Sequence, residues 1–252
     1  MGSILEYPEA RRVIVCGDIH GDFEPLVYKL CVMYGCTNTL LVVAGDCGFG
    51  FERPGYYDTV FAEVERRLRK ANNWVVFVRG NHDDPAYFRE RRIDHLRWRT
   101  VPDYSILHAC DHTILCVGGA VSVDRVMRIR EDERRREGNV PCYWSDEPPV
   151  FNPEELAAIP AGTIDTVVTH TAPSFCELTS HLWRSTWAEM DDRLQDDVLR
   201  ERETMDKLYE ALKKAGHPLK AWLYGHFHHS WNGTLEGTHF TMLDIMEFED
   251  LR

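Results

Sequence analysis

Five short polar blocks in the sequence could bind metal ions. They are residues 17–21 (GDIHG), 45–48 (GDCG), 80–83 (GNHD), 169–170 (TH) and 225–228 (GHFH). Together they supply carboxylate oxygens, an amide oxygen and imidazole nitrogens, a ligand set that suits Mn, Fe or Zn. No cluster of thiolates accompanies them, which argues against a structural cysteine–zinc site.

The spacing within two of these blocks favours shared binding of one ion. Asp18 and His20 are two residues apart, as are His226 and His228. Side chains two apart on an extended segment point to the same side. The flanking glycines allow tight turns and a close approach of the backbone to a ligand. Each block alone is a common surface pattern. Their occurrence in order, each after an apolar run, indicates a metal centre.

Short β-branched runs precede the polar blocks and predict the strands that position them. The predicted strands cover residues 12–16, 39–44, 74–78, 113–117, 163–169 and 221–224. Each is apolar enough to be buried on both faces of a sheet. Ligands of α/β sheets bind outside the carboxyl ends of the strands. Five of these strand ends can therefore bring the five blocks together.

Helical patterns alternate with the strands. Helices are predicted over residues 22–34, 55–71, 153–159 and 187–215, and a hairpin is predicted within residues 230–248. A charged, proline-rich insertion spans about 125–160, and its run 130–137 is predicted to be a solvated loop. The alternation predicts an α/β fold with one layered domain over residues 1–252.

Composition limits the function classes. The 252 residues can bury a core without disulfides, and 44% hydrophobic with 28% charged residues argues against global disorder. The apolar runs are far too short for a membrane span, and the net charge of −12 disfavours anionic membranes and, less strictly, nucleic acids as partners. The eight cysteines form no CxxC pair and are interpreted as reduced core thiols. We expect a cytoplasmic protein, and the oligomeric state stays open.

The ordered set Gly17-Asp-x-His20, Gly45-Asp46, Gly80-Asn-His-Asp83, His170 and Gly225-His-x-His228 resembles the calcineurin-like metallophosphoesterase superfamily. The resemblance implies a four-layer α/β/β/α sandwich around a centre of two metal ions, for which Mn, Fe and Zn are the candidates. Asp18, His20 and His228 would hold the first ion. Asn81, His170 and His226 would hold the second. Asp46 would bridge both.

The implied activity is phosphoester hydrolysis, with attack of a metal-bridging hydroxide on phosphorus. We expect a small phosphomonoester as the substrate. His82 would protonate the leaving group or stabilise charge during attack. Asp83 would accept a hydrogen bond from His82 and fix its tautomer, or would cap a helix that begins at Pro85. A phosphodiesterase or nuclease with the same metals, and an inactive binding scaffold, are the alternatives.

Some motifs resemble particular branches of the superfamily. The first and third blocks are similar to protein Ser/Thr phosphatases, but those enzymes follow the second aspartate with arginine, whereas Cys47 stands here. This departure argues against protein phosphatase activity. Residues 118–125 and 144–147 resemble small bacterial and phage members of undefined substrate.

Groups outside the metal ligands must recognise the substrate. Arg125 and Arg128 follow a predicted strand end and could bind the phosphate, although exposed solubilising arginines are an equal alternative. Aromatic residues near the predicted site could stack on a base or aryl group, or could pack in the core: Phe49, Phe51, Tyr143 and Trp144.

Overall fold

Two β-sheets face each other in the computed structural model, which describes residues 2–53, 55–135, 140–176 and 186–251. The strands within these ranges are β1 (Ile4–Glu6), β2 (Arg12–Cys16), β3 (Thr39–Ala44), β4 (Trp74–Val78), β5 (Trp98–Thr100), β6 (Ser105–Ala109), β7 (His112–Val117), β8 (Thr166–Thr169), β9 (Ala221–Tyr224), β10 (Trp231–Leu235), β11 (Thr238–Met242) and β12 (Phe248–Asp250).

The strand order brings the carboxyl ends of consecutive parallel strands to one edge. One sheet has the order β12-β2-β3-β4-β5, and the other has the order β1-β6-β7-β8-β9-β11-β10. Strands β2, β3, β4 and β5 run parallel to one another, and so do β7, β8 and β9. The loops that follow β2, β3 and β4 therefore leave the same edge of the first sheet, and those after β7, β8 and β9 leave the same edge of the second.

Helices cover the outer faces of the sheets. They are α1 (Phe23–Tyr28), which continues as a π-helical turn over Lys29–Met33, α2 (Tyr56–Ala71), α3 (Pro85–Arg89), α4 (Arg125–Arg134), α5 (Pro153–Ala157), α6 (Thr186–Met190) and α7 (Leu194–Lys214). None of the described helices is long and apolar enough to cross a bilayer.

The alternation of side chains along each strand produces the layers. Val13 and Val15 of β2 pack between the two sheets, whereas Ile14 and Cys16 pack beneath the helices α1 and α2. Likewise, the second sheet turns residues such as Trp222 toward α7. Because successive strand residues point to opposite faces, strands that are buried on both sides yield three apolar layers of side chains. The result is the predicted four-layer α/β/β/α sandwich.

The structure confirms the six predicted strands and the hairpin, formed by β10 and β11, with small shifts at the ends. The strand predicted over residues 163–169 begins only at Thr166. The solvated loop predicted over residues 130–137 is wrong in part, because α4 continues to Arg134. Residues 136 and 137 of that run lie outside the described residues.

The prediction of a single helix over residues 187–215 is wrong, because this segment forms two helices, α6 and α7. The break lies at Asp191, whose carboxylate accepts hydrogen bonds from the N–H of Arg193 (3.1 Å) and from the Arg125 guanidinium (2.5 Å). An aspartate side chain that accepts a hydrogen bond from a nearby backbone N–H competes with the hydrogen bonds of a helix. Here the ion pair with Arg125 also stabilises the turn.

Candidate metal centre

All seven predicted metal ligands lie at one edge of the sandwich, and both sheets contribute. Asp18 and His20 follow β2, Asp46 follows β3, and Asn81 follows β4. His170 follows β8, and the pair at positions 226 and 228 follows β9. The structure therefore brings together the side chains that the strand-end argument grouped.

Four of these side chains form a first cluster. Asp18, His20, Asp46 and His228 each offer one donor atom, and these atoms all lie within 4.8 Å of one another. The Nε2 atom of His228 lies 3.0 Å from Asp18 Oδ2 and 3.0 Å from His20 Nε2. Two imidazole nitrogens and carboxylate oxygens converge on one small region, as the coordination of a divalent transition metal requires.

The hydrogen bonding of Asp18 tests whether this cluster fits a metal ion. Its Oδ1 accepts a hydrogen bond from the N–H of His226 (2.9 Å). Its Oδ2 is buried and accepts no hydrogen bond, although His228 Nε2 is near. Buried carboxylate oxygens are normally hydrogen-bonded, so an oxygen left without a donor indicates a cation as its partner. The residues present fit a metal ion.

A second cluster surrounds His170. Its Nε2 lies 3.0 Å from Asp46 Oδ1 and 3.0 Å from Asn81 Oδ1, while its Nδ1 donates to the carbonyl oxygen of Ala44 (2.8 Å). The bond to Ala44 fixes the proton on Nδ1 and leaves Nε2 to face the two oxygens. The ring of His226 packs against that of His170, with the ring centroids 5.0 Å apart.

Asp46 belongs to both clusters, as a bridging ligand must. Its Oδ2 lies 4.0 Å from His20 Nδ1, while its Oδ1 faces His170. Burial opposes ionisation of Asp46, but the neighbouring histidines, His170 foremost, hold its pKa well below the ordinary value. Burial lowers the pKa of His170, yet the carboxylates of Asp46 and Asp18 outweigh burial and raise that pKa to about 10. A proton and a metal cation therefore compete for the space between these side chains.

Two glycines allow the ligands to lie this close to the backbone. A Cβ atom on Gly45 would lie 2.1 Å from His170 Nδ1, and one on Gly225 would lie 2.1 Å from Asp18 Oδ1. Such separations are far below van der Waals contact, so any side chain at either position would displace a ligand. The glycines that begin the second and fifth blocks are thus required by the packing of the centre.

The family model described as calcineurin-like phosphoesterase matches residues 11–230, which is most of the chain. The chain belongs to the calcineurin-like phosphoesterase family. This membership and the two clusters together support metal-dependent hydrolysis of phosphoesters, and the metal ions would be held by the seven ligands described above.

A solved structure of low identity shares the fold of this phosphoesterase. The crystal structure of TT1561 of Thermus thermophilus is similar at 14% identity and a TM-score of 0.52, over 96% of this chain and 98% of that one. The phosphopantetheinyl hydrolase PptH from Mycobacterium tuberculosis matches at 14% identity and a TM-score of 0.42, over 93% of this chain and 89% of that one.

His82 lies beside the candidate metal ligands of the phosphoesterase. Its backbone N–H donates to Asp46 Oδ1 (2.7 Å), and its ring centroid lies 5.5 Å from that of His20. The ring borders a cleft of about 320 Å³ that is also lined by Phe51, Glu52 and other residues. Burial lowers the pKa of His82, against the opposing charge of Asp46. The position suits a group that exchanges a proton with a substrate in the cleft.

The role predicted for Asp83 is wrong. Its carboxylate accepts hydrogen bonds from four backbone N–H groups, at 2.8 to 3.0 Å, and these belong to Cys47, Gly48, Phe49 and Gly80. With both oxygens occupied, Asp83 ties the loop after β3 to the loop after β4 instead of orienting the ring of His82. The cap of the helix that begins at Pro85 is also a different residue, Asp84, whose side chain accepts from the N–H of Ala86 (2.9 Å).

The two arginines predicted to bind phosphate are already paired. The guanidinium of Arg125 lies 2.5 Å from Asp191 and 2.8 Å from Asp197, and it is largely buried. Arg128 is buried and donates to the carbonyl oxygens of Cys142 and Asn81. The alternative of exposed solubilising arginines is therefore wrong for both. Phosphate binding by either one stays a prediction.

The aromatic side chains near the predicted site, and the thiol of Cys47, lie either in the core or at the cleft. Phe49 is fully buried among core rings, and Cys47 is a packed thiol that donates to the carbonyl of Val78 (3.2 Å). Phe51, by contrast, stacks near the His82 ring at 6.3 Å and contacts Trp144 edge-on at 5.1 Å. Of the four aromatic candidates, Phe51 lines the cleft beside His82.

Sequence reasoning missed the role of Ser122 and Glu147. Ser122 donates a hydrogen bond to Glu147 (2.7 Å) and accepts one from the candidate ligand Asn81 (3.0 Å). Both residues lie in segments that resemble small family members, but no function was assigned to either. The strand-end rule could have found Ser122, because its loop leaves the carboxyl end of β7 next to β8.

Proposed function

We propose that this protein is a phosphomonoesterase that acts on a small organic phosphate. The observation that carries the proposal is the cleft of about 320 Å³ at His20 and His82. A space of this size holds one organic substituent beside the metal centre. A phosphomonoester has one such substituent, whereas a nucleic acid extends on both sides of its phosphate.

The charge of the cleft supports a small substrate over a polynucleotide. Asp22 and Glu52 are among its lining residues, and the described residues that line it include neither lysine nor arginine. A nucleic-acid groove needs cationic side chains that follow the phosphate backbone. Phe51 and Tyr56 instead offer apolar surface to the leaving group.

Each part of the site then has a role in hydrolysis. The seven candidate ligands would hold two metal ions, which would supply Lewis-acid activation of water and neutralisation of charge on the phosphoryl group. Asp46 would be shared by both ions, because its carboxylate faces His20 of the first cluster and His170 of the second. His82 donates a proton to the leaving alkoxide, because its ring faces the cleft and is not assigned to a metal.

Phosphodiester hydrolysis is the second candidate, and the pairing of Arg125 favours it. A phosphomonoester carries one more negative charge than a diester and benefits from an additional cation. Arg125 already neutralises Asp191 and Asp197, so it does not offer that charge without giving up a partner.

The substrate class can be tested by comparing p-nitrophenyl phosphate with bis-p-nitrophenyl phosphate in the presence of Mn²⁺. We expect faster turnover of the monoester, and the Asp46→Asn variant, purified in parallel, controls for contaminating phosphatases. A clear preference for the diester would support the second candidate. Absence of turnover with Mn²⁺, Fe²⁺ and Zn²⁺ would support a binding scaffold.

The eight free cysteines support a reducing compartment, the cytoplasm, as the location of the protein.

A further inference from the structure

Asn81 is held by hydrogen-bonding partners at both ends of its amide. Its Oδ1 lies 3.0 Å from His170 Nε2, on the side of the second metal cluster, and its Nδ2 donates to Ser122 Oγ at 3.0 Å. The two ends of an amide have similar shapes, but only the oxygen can bind a cation. Whatever fixes the orientation of this amide therefore decides whether Asn81 can act as a ligand.

The hydroxyl group of Ser122 can accept a hydrogen bond from Asn81 but has no hydrogen left to donate to it. Its one hydrogen is donated to Glu147 Oε2 at 2.7 Å, and Glu147 Oε1 accepts the backbone N–H of Ser122 at 2.7 Å. Arg128 also donates to Ser122 Oγ. Since the hydroxyl hydrogen is committed to a carboxylate, only the NH₂ end of the Asn81 amide can face Ser122.

Because Ser122 and Glu147 are buried, the reversed orientation of the Asn81 amide is strongly disfavoured. Ser122 is 0% exposed and Glu147 is 1% exposed, so bulk water cannot replace a missing partner. A polar group left unpaired in such surroundings costs about 1–3 kcal/mol. The reversed amide would place NH₂ toward His170 and an oxygen acceptor against a hydroxyl that has no hydrogen free.

A second buried carboxylate fixes the loop that carries Ser122. Glu201 of α7 accepts the backbone N–H of Val121, and its other oxygen accepts the hydroxyl of Thr171 at 2.6 Å. Thr171 directly follows the ligand His170. The loop after β7 is thus hydrogen-bonded to the loops of both Asn81 and His170, which places Ser122 beside the amide.

We propose that Ser122 and Glu147 are positioning residues that orient the Asn81 amide so that its oxygen faces the second metal ion. This inference rests on the two-metal centre used in the proposed function. It concerns the second ion alone, because none of the described hydrogen bonds joins Ser122 or Glu147 to Asp18, His20 or His228.

The test is a titration of Mn²⁺ into the metal-stripped full-length protein at pH 8, followed by calorimetry and by elemental analysis of bound metal. In Ser122→Ala we expect affinity for the second ion to fall about 10- to 100-fold, with affinity for the first ion unchanged. Ser122→Thr keeps the hydroxyl and should restore the second ion. Ser105→Ala is the matched control, because Ser105 is equally buried and its hydroxyl donates to the carbonyl of Pro102 (2.7 Å), away from the centre.

Glu147→Gln provides an independent variant of similar shape. The new NH₂ group would donate to Ser122 Oγ and displace the hydroxyl hydrogen toward Asn81, so we expect the same selective loss of about tenfold or more. If thermal unfolding shows that Ser122→Ala does not fold, Glu147→Gln tests the inference on its own.

Three results would overturn the inference: wild-type affinity for the second ion in both variants, an equal loss of both ions, or a wild-type protein that binds a single ion. Wild-type protein that binds two ions but hydrolyses neither model ester would refute the proposed function and leave the orienting role of Ser122 in place.

Discussion

The Nε2 atoms of His20 and His228 lie 3.0 Å apart, although the two residues are 208 positions apart in the chain. His20 follows β2 in the five-stranded sheet, and His228 follows β9 in the seven-stranded sheet. A metal ion bound by both therefore joins the two sheets at the edge where the loops converge.

Metal binding should raise the thermal stability of the protein. A ligand that binds only the folded state at 100 times its dissociation constant stabilises it by about 2.7 kcal/mol, which for a chain of this size raises Tm by about 5–10 °C. Thermal unfolding with Mn²⁺ and with EDTA measures the difference. The Asp18→Asn variant should show little of this increase in Tm. An increase equal to that of the wild type would show that Mn²⁺ stabilises the protein from another site.

Asp46→Asn should remove at least one metal ion and reduce activity toward background. The substitution removes the negative charge that both clusters share, while the amide keeps the shape of the side chain. Elemental analysis and turnover of p-nitrophenyl phosphate check both effects. Asp111→Asn is a matched control, since Asp46 and Asp111 both have positive φ (45° and 64°) and Asp111 is exposed. A metal content equal to that of the wild type would contradict the bridging role.

His82→Ala should retain both ions and slow turnover about 10²- to 10⁴-fold on alkyl phosphates. The loss should be smaller on p-nitrophenyl phosphate, whose leaving group departs without a proton. Metal analysis and rates on both substrates test this, with the exposed His239→Ala as the control. If metal is lost, or if both substrates slow equally, His82 orders the centre or stabilises phosphoryl charge and is not the acid.

Asp83→Asn should destabilise the fold by about 2–4 kcal/mol, because the amide NH₂ group would meet backbone N–H donors that need an acceptor. Urea unfolding measures the loss. The neighbouring variant Asp84→Asn should change stability by less than about 1 kcal/mol, since asparagine caps a helix as well as aspartate does. If Asp83→Asn and Asp84→Asn reduce stability by similar amounts, the hydrogen bonds of Asp83 do not hold the two loops together.

Stability should fall as pH rises through the range in which Glu147 ionises. Burial raises the pKa of Glu147 from 4.5 to about 7, against the hydrogen bonds from Ser122. Between these two values the folded protein binds a proton that the unfolded chain has released, so the free energy of unfolding decreases with increasing pH.

The measurement is urea unfolding of metal-free wild type and Glu147→Gln at pH 5 and pH 8. We expect the wild type to lose up to about 3 kcal/mol relative to the variant between these pH values. The exposed Glu154→Gln should show no such relative change. If the free energy of unfolding of the wild type increases from pH 5 to pH 8 relative to the variant, the predicted direction of the pH dependence is wrong.

Much of this centre could be predicted because its determinants are local. The strands that carry it are buried on both faces, so β3 appears in the sequence as an unbroken apolar run. Five of the six runs are followed within a few residues by a candidate ligand, and the parallel arrangement makes strand ends meet. Six strands and the grouping of seven ligands follow from those two facts.

The features that were missed depend on partners distant in sequence. Arg125 could be read as a free cation because Asp191 and Asp197 lie 66 and 72 residues away, and the same pairing divides the predicted long helix. Asp83 could be assigned to His82 because its true donors, such as the N–H of Phe49, belong to a loop after another strand. Residue spacing holds no information about such contacts before the strand order is known.

The span between His20 and His228 also affects the order of events during synthesis. A ribosome delivers the chain from its amino terminus, and all ligands up to His170 emerge before the loop after β9 exists. Neither metal position has its full set of side chains until residues 226 and 228 have left the exit tunnel. Metal loading would therefore be completed only after translation has passed β9, and a chain that ends before β9 would lack the positions 226 and 228 of the fifth block, which belong to the two clusters.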